Sequence, residues 1–147
     1  NLSQKGVCKQ MTKMGQKRKA IKPRKRGKSI KLFPLDILFS KYIRAKADFT
    51  CEYCGIKPNP KGLHCSHFIG RRYRNTRWLE DNVACLCFGC HNLMHDFPSI
   101  HRDYFTKRLG SDRLEEMEIL ARSGSKVDLG EIKDTLGRKI ERIKCSV

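Results

Sequence analysis

The stretch CEYC at residues 51–54 is matched by CFGC at residues 87–90, and these two Cys-x-x-Cys pairs decide the fold. Two thiolates from each of two tight turns form the usual ligand set of a tetrahedral structural zinc ion. Gly55 follows the first pair and can take the positive φ that a tight turn around a metal requires. The spacing therefore predicts one closed zinc site with four ligands, Cys51, Cys54, Cys87 and Cys90.

The remaining cysteines favour metal binding in a reducing cytosol over a disulfide framework. Four of them are scattered along the chain, and the sequence carries no secretion signal. They are Cys8, Cys65, Cys85 and Cys145. Cys85 lies near the second pair but breaks its two-residue spacing, so we predict Cys65 and Cys85 as core thiols. The alternative is that the four paired cysteines are buried free thiols without a metal.

The 147-residue chain carries a formal net charge of +17, and this charge is unevenly distributed. Residues 1–31 contain twelve Lys or Arg and no acidic residue, whereas the remainder contains 20 basic and 15 acidic residues. A basic segment beside a nearly balanced domain predicts binding to nucleic acid, and salt should weaken that binding steeply. The alternative is a solubilising or nucleus-directing run.

Composition divides the chain into three predicted regions. Residues 1–31 are expected to form a basic, flexible arm, residues 32–121 a folded domain, and residues 122–147 a C-terminal helical extension. No apolar run approaches the roughly 18 residues of a membrane span, so we expect a cytoplasmic protein. Because residue 1 is Asn, we also expect that the true start was trimmed or that the chain is partial.

The apolar pattern predicts short strands and several helices. Pro34 should begin a helix that ends near Asp48, with an apolar face of Leu35, Leu38, Phe39 and Tyr42. Strands are predicted at 63–69 and 83–86, and a helix at 90–96. Further helices are predicted at 98–109, closed by Gly110; at 112–121, with a capping box of Asp112 and Glu115; and at the C-terminus, capped by Asp128 and Glu131.

Four histidines lie between and just after the cysteine pairs, and a structural zinc ion does not need them. They are His64, His67, His91 and His95. Histidines that are free of the zinc site could serve in the hydrolysis of a phosphodiester. That reaction needs a base that activates water, and an imidazole titrates near the working pH. It also needs a divalent ion that stabilises the charge on phosphorus and on the leaving oxygen. A fifth histidine, His101, is predicted to face solvent on a later helix.

Residues 51–95 resemble the HNH, or ββα-metal, nucleases. The resemblance implies that His67 is the general base and that Asn82 pins the loop by hydrogen bonds or touches the metal. It implies His91 and His95 as ligands of a catalytic Mg²⁺, Mn²⁺ or other divalent ion. Many family members also contain four interleaved thiolates, whose structural zinc holds the hairpin to the helix. The implied fold is α+β, a small ββα-metal core with a four-cysteine zinc site, flanked by helices.

One position departs from the family pattern. The residue before the base is usually Asp or His and binds metal, whereas this chain has Ser66 there, and a serine hydroxyl is a poor ligand. His64 lies three residues before His67 and could supply the missing donor if the strand bends. Whether His64 takes this role is left open by the sequence.

Residues 35–121 are also similar to the phage NinG/Rap recombination-nuclease family. The similarity rests on Cys-x-x-Cys-Gly, on Ser-His67-Phe68, on Asp-Asn82 and on the run from Tyr104 to Leu120. It implies cleavage of branched recombination DNA in the cytoplasm of a host cell. An enzyme that resolves branched DNA would act as a homodimer, although nothing in the sequence indicates an interface.

The segment between His67 and Asn82 is rich in arginine and contains two aromatic residues. We predict phosphate contacts for its four arginines, Arg71, Arg72, Arg74 and Arg77. The alternative is a solvated loop, and Trp78 is predicted to pack in the core.

Together the zinc site, the histidines and the basic residues predict a metal-dependent DNA endonuclease. The alternative, which the departure at Ser66 supports, is a non-catalytic zinc-dependent nucleic-acid-binding module.

Overall fold

The structure, a computed structural model, describes residues 33–145, and the predicted basic arm at residues 1–31 lies outside this range. The described chain is a mixture of helices and one small two-stranded sheet, so the α+β class is confirmed. The elements in chain order are α1 (Pro34–Lys46), a 3₁₀ turn (Pro60–Gly62), β1 (Leu63–His67), β2 (Val83–Cys87), α2 (Phe88–Asp96), α3 (Pro98–Leu109), α4 (Ser111–Arg122) and α5 (Leu129–Cys145).

Helix α1 begins as predicted, at Pro34, whose fixed φ suits the first helical position. Its buried face includes Phe39 and Tyr42, which were predicted, and Ile43, which was not. The predicted Leu35 and Leu38 are only half-buried. The largest surprise is Asp36, a buried carboxylate in the first turn.

The two strands pair antiparallel, with Leu63 opposite Cys87 and His67 opposite Val83. Strand β2 is buried along its whole length, as expected for the centre of a small core. Its outer edge is covered by Glu52, whose N–H donates to the Cys85 carbonyl at 2.8 Å. Strand β1 is two residues shorter than predicted, because the chain leaves the sheet after His67 and enters the loop at residues 68–82.

The helices after the hairpin follow the predicted pattern except at one cap. Helix α3 has the predicted bounds, and Gly110 ends it with a φ of +86°, a conformation that favours glycine. The predicted capping box at Asp112 is wrong, since the N-cap of α4 is Gly110 and no side chain caps it. The cap at Asp128 is right, because its Oδ1 accepts hydrogen bonds from the Gly130 and Glu131 N–H groups.

Helix α5 packs against α1, and Leu136 belongs to the same hydrophobic core as the hairpin. Residues 129–145 are therefore helical, as predicted for the C-terminus, and their apolar face contributes to the central core. The boundary near residue 121 and the division into three regions stay predictions. In the part of the chain that the structure describes, no helix is both long and apolar enough to cross a membrane.

Candidate metal centre and histidine cleft

The four paired cysteines converge on one point. Their Sγ atoms all lie within 4.8 Å of one another, and the Cys54 and Cys87 sulfurs are 3.8 Å apart. A tetrahedron with zinc–sulfur bonds of about 2.3 Å has edges of about 3.8 Å, so this spacing fits a single ion. None of the four side chains is more than 9% exposed. The prediction that they are positioned to hold a metal ion is therefore confirmed.

Local backbone geometry brings the two pairs together. In the first turn the Gly55 N–H donates to the Cys51 carbonyl at 2.8 Å, and Gly55 takes the predicted positive φ of +71°. In the second, Cys87 is the N-cap of α2 and Cys90 lies in its first turn. A metal at this point ties the first turn to the hairpin and to the helix.

The charge of the cluster also calls for a cation. A hydrogen bond from Cys90 lowers the pKa of the Cys51 thiol, whereas burial raises the pKa of Cys54. The Cys51 thiolate in turn raises the pKa of Cys90. Without a cation the cluster thus favours one thiolate over several, and a metal ion supplies the positive charge that deprotonates the rest.

The two central cysteines outside the cluster differ from each other. Cys85 is fully buried in β2, as predicted for a core thiol. Cys65 is only half-buried and lines a cleft, so the prediction of a core thiol is wrong for this residue. Burial raises the pKa of both thiols to about 12, which keeps them protonated and unreactive near neutral pH.

A cleft of about 710 Å³ runs along β1 between α1 and α2. It gathers the histidines that the sequence singled out, together with two arginines from different elements. The side chains concerned are His64, His67, His91, His95, Arg44 and Arg71. The sequence predicted all of these as site residues except Arg44.

His67 ends β1 and is fixed by one hydrogen bond. Its Nε2 lies 3.0 Å from the Arg77 carbonyl oxygen, which can only accept, so Nε2 carries the hydrogen and Nδ1 is the basic nitrogen. Burial lowers the pKa of His67 below its usual 6.5, and the positive charge of Arg71 acts in the same direction. The imidazole is therefore neutral at pH 7 and can take a proton from water.

Asn82 holds the loop between the strands. Its Oδ1 accepts from the Ile69 N–H at 2.7 Å, and its Nδ2 donates to the Ile69 and Thr76 carbonyls at 3.0 and 2.8 Å. The side chain is fully buried, and these backbone contacts occupy its amide. Of the two roles considered for Asn82, the contacts favour pinning the loop over touching a metal.

The cleft histidines form an open arrangement. The His64 ring stacks on the His91 ring, with centroids 5.0 Å apart and planes 16° apart. His95 is 82% exposed, and its Nδ1 lies 3.8 Å from the Asp96 carboxylate. Within residues 33–145 the four cysteines are the one tightly clustered set of three or more metal-ligating side chains. The histidines thus leave room between them.

In the cleft, the residue that lies against His91 is His64 and not Ser66, the residue before His67. Ser66 is only 4% exposed and is absent from the lining of the cleft. Burial lowers the pKa of His91, and the neighbouring His64 and His95 act in the same direction. The neutral imidazole is the form that binds metal, and His64 lies against His91, so the two side chains can serve as a ligand pair.

His101 is not solvent-facing, and that prediction is wrong. Its ring packs edge-on against Phe68 and Phe105, with centroids 5.5 and 5.2 Å away. Its Nε2 is buried without a hydrogen-bond partner among the described residues, and burial lowers its pKa. Helix α3 lies against the hairpin loop at this point, which helical periodicity alone did not indicate.

The four predicted phosphate-binding arginines have different environments. Arg71 lines the cleft, and Arg72 and Arg74 are exposed in the loop that follows it. Arg77 is only 3% exposed, and its Nε and Nη2 donate to the two Asp36 carboxylate oxygens at 2.8 and 2.6 Å. The prediction that Arg77 contacts phosphate is therefore wrong, because its guanidinium is buried in an internal ion pair.

Asp36 is a further residue of the cleft lining that sequence reasoning missed. Its carboxylate also accepts from Trp78 Nε1–H at 3.0 Å and from the Phe33 N–H at 2.7 Å, and Trp78 is buried as predicted. Burial favours a raised pKa for Asp36, but the hydrogen bonds and charge of Arg77 hold it below its usual 3.8. Since the Arg77 carbonyl binds His67, Asp36 links α1 to that histidine. An acid in the first turn after Pro34 was the available signal.

Comparisons of the chain with protein-family models, with curated proteins and with solved structures found no match. The function is therefore argued from the site.

Proposed function

We propose that this protein is a metal-dependent DNA endonuclease of the HNH type, built on a ββα-metal core. The observation that carries the proposal is the state of His67, a neutral imidazole held by the Arg77 carbonyl in a cleft that also contains His64 and His91. A base with a fixed tautomer beside a pair of metal-ligating groups is what phosphodiester hydrolysis requires.

His67 acts as the general base. Its Nδ1 takes a proton from a water molecule, whose oxygen attacks phosphorus while the bond to the leaving oxygen breaks. His64 and His91 would hold Mg²⁺, Mn²⁺ or another divalent ion, with His95 at the rim of the cleft. When bound, that ion supplies Lewis-acid stabilisation of the charge on the phosphate and the leaving oxygen. Asn82 keeps the loop in place and positions the site without touching the reacting atoms.

The ion of the four-cysteine site is proposed to be zinc, with a structural role. Four thiolates close the coordination sphere and leave no position for substrate, which is typical of structural zinc. Its contribution is to folding, because it joins the first cysteine turn to the hairpin and to α2, where His91 lies.

DNA is the proposed partner. Arg71 lines the cleft, Arg72 and Arg74 are exposed in the same loop, and the chain carries an excess of 17 positive charges. Phosphate contacts of this kind position a duplex without reading its sequence. The similarity to recombination nucleases suggests branched DNA as substrate and a homodimer as the active form, and both belong to this proposal.

A non-catalytic, zinc-dependent nucleic-acid-binding module is the second candidate. It is favoured by the open arrangement of the cleft histidines and by Ser66, which is buried outside the cleft. In that case His64 and His91 would be packing residues, and the arginines alone would contact nucleic acid.

Nicking of supercoiled plasmid separates the two candidates. Wild-type protein and His67→Ala are incubated with Mg²⁺, Mn²⁺ or Ni²⁺, and with EDTA as the control. The proposal expects ion-dependent nicking by wild type, and a loss of roughly 100- to 10,000-fold in His67→Ala. Both proteins should keep one zinc per chain and the same circular dichroism spectrum. An absence of nicking with every ion favours the binding module.

A further inference from the structure

We propose that Arg44 of α1 is a phosphate-binding residue and that it forms an anion subsite with Arg71 across the floor of the cleft. The inference deepens the proposed function and rests on DNA occupying the cleft. Arg44 is not part of the apolar face predicted for its helix, and the structure places it in the lining of the cleft that also contains His67.

The two arginines approach the same part of the cleft from different elements. Arg44 lies in the last turn of α1, and Arg71 follows Gly70 in the loop after β1. Both side chains line the same cleft, together with Cys65 of β1.

Arg44 is held in place, yet no described carboxylate lies within ion-pair distance of its charge. Its Nη1 donates to Ser40 Oγ at 2.8 Å, one turn earlier on α1. Within residues 33–145 no carboxylate pairs with Arg44 or Arg71, whereas Arg77 in the same region is neutralised by Asp36. A guanidinium that is positioned by a hydroxyl and lacks a counterion suits a phosphate, whose oxygens match its donors in pairs.

The placement of the arginines complements that of the histidines. Arg44 comes from α1, whereas His91 comes from α2 on the other side of the cleft. A phosphate that enters between the two helices would meet metal-ligating histidines on one side and guanidinium donors on the other. Donors aimed at the phosphate oxygens stabilise the negative charge that builds up during attack by water.

Binding measurements on chemically neutralised DNA test this subsite. Every protein carries His67→Ala, so that cleavage does not interfere, and the DNA carries one uncharged methylphosphonate at successive backbone positions. Neutralising the phosphate in the subsite should weaken binding of the parent by about tenfold, the usual size for a charged hydrogen bond. Arg44→Gln should lose most of this sensitivity at that position and keep it elsewhere, because its contact is already gone.

Arg138→Gln is the matched control, since Arg138 also donates to a hydroxyl on its own helix, that of Thr135 at 3.0 Å, but lies outside the cleft. It should reproduce the parent profile, and Arg44→Lys should retain part of the sensitivity. The subsite is wrong if Arg44→Gln reproduces the parent profile at every position, or if the parent does not bind DNA.

The test is independent of catalysis. If Arg44 is coupled to one phosphate but the protein never nicks DNA, the subsite is supported and the proposed nuclease activity is wrong. If the protein nicks DNA but Arg44→Gln shows no such coupling, the proposed function is supported and the subsite is wrong.

Discussion

The four-cysteine cluster and the histidine cleft both contain side chains that can bind metal, but these side chains are tightly grouped in the cluster and spread out in the cleft. The cysteine sulfurs lie within 4.8 Å of one another in the core. In the cleft, His64 and His91 stack at 5.0 Å, while His95 is 82% exposed. Closed sites stabilise a fold, whereas catalytic sites keep positions open for water and substrate. This difference is the reason why the cleft, and not the cysteine cluster, is proposed as the catalytic site.

The two sites also differ in what holds their side chains. The cysteines need a cation, because burial opposes more than one thiolate. His67 and Asn82 are held by hydrogen bonds to the loop backbone, which require no ion. Loss of metal should therefore damage the two sites unequally, and loss of the loop contacts should damage only the cleft.

The largest expected effect is that of Cys51→Ser. A structural zinc contributes on the order of 10 kcal/mol, which is comparable to the whole stability of a small domain. The variant should lose tightly bound zinc and its cooperative thermal transition, as measured by metal analysis and circular dichroism. Cys65→Ser is the control, because Cys65 lies outside the cluster, and it should keep both. Equal behaviour of the two variants would contradict the structural role.

Asp36→Ala should cost about 3–5 kcal/mol in urea unfolding, because it removes the carboxylate that pairs with the buried Arg77 guanidinium. Glu116→Ala breaks an exposed ion pair with Arg113 on α4 and should cost about 1 kcal/mol or less. The lowered Asp36 pKa adds stability above its usual 3.8, and this is lost as the pH falls through the folded value. A similar cost for both variants would remove Asp36 as the link between α1 and the cleft.

Cleavage should persist into mildly acidic solution. The neutral form of His67 is the proposed base, and burial lowers its pKa below 6.5. Half-protonation therefore falls below that pH, and at still lower pH the rate should approach about a tenfold decrease per pH unit. Single-turnover rates between pH 5 and pH 8 measure this acidic limb of the pH–rate profile, with the zinc content checked at each pH. An acid limb centred above 6.5 would mean that another group limits the rate.

The smallest expected effect is that of Arg74→Gln, at the exposed edge of the cleft. A single phosphate contact should reduce the salt dependence of DNA binding by about one unit of slope and weaken affinity evenly across sequences. Lys107→Gln, an exposed site on α3, is the control and should leave the slope unchanged. Titrations over a range of salt concentrations compare the two, and equal slopes would show that Arg74 does not contact phosphate.

Local signals explain what the sequence predicted well. Pro34 and Gly110 mark helix ends through their own backbone preferences, and Asp128 caps the helix that follows it. The spacing within each Cys-x-x-Cys pair likewise reflects one tight turn. These features need no knowledge of distant residues.

The predictions for Arg77 and His101 were wrong because of contacts between distant parts of the chain. Arg77 looked like a phosphate ligand, but its carboxylate partner lies 41 residues earlier on α1. His101 looked exposed because its helix has no strong apolar stripe, yet the loop residue Phe68 covers it. The same distance effect concealed Arg44, which reaches the cleft only because α1 packs against β1.

The division into a structural and a working site is tested most directly by nicking with zinc-loaded His91→Ala, beside wild type, at matched Mn²⁺ concentration. The account predicts one zinc per chain and an unchanged melting temperature, with a nicking rate reduced by at least about 100-fold. A variant that nicks at the wild-type rate, or that loses its zinc together with its fold, would contradict the account.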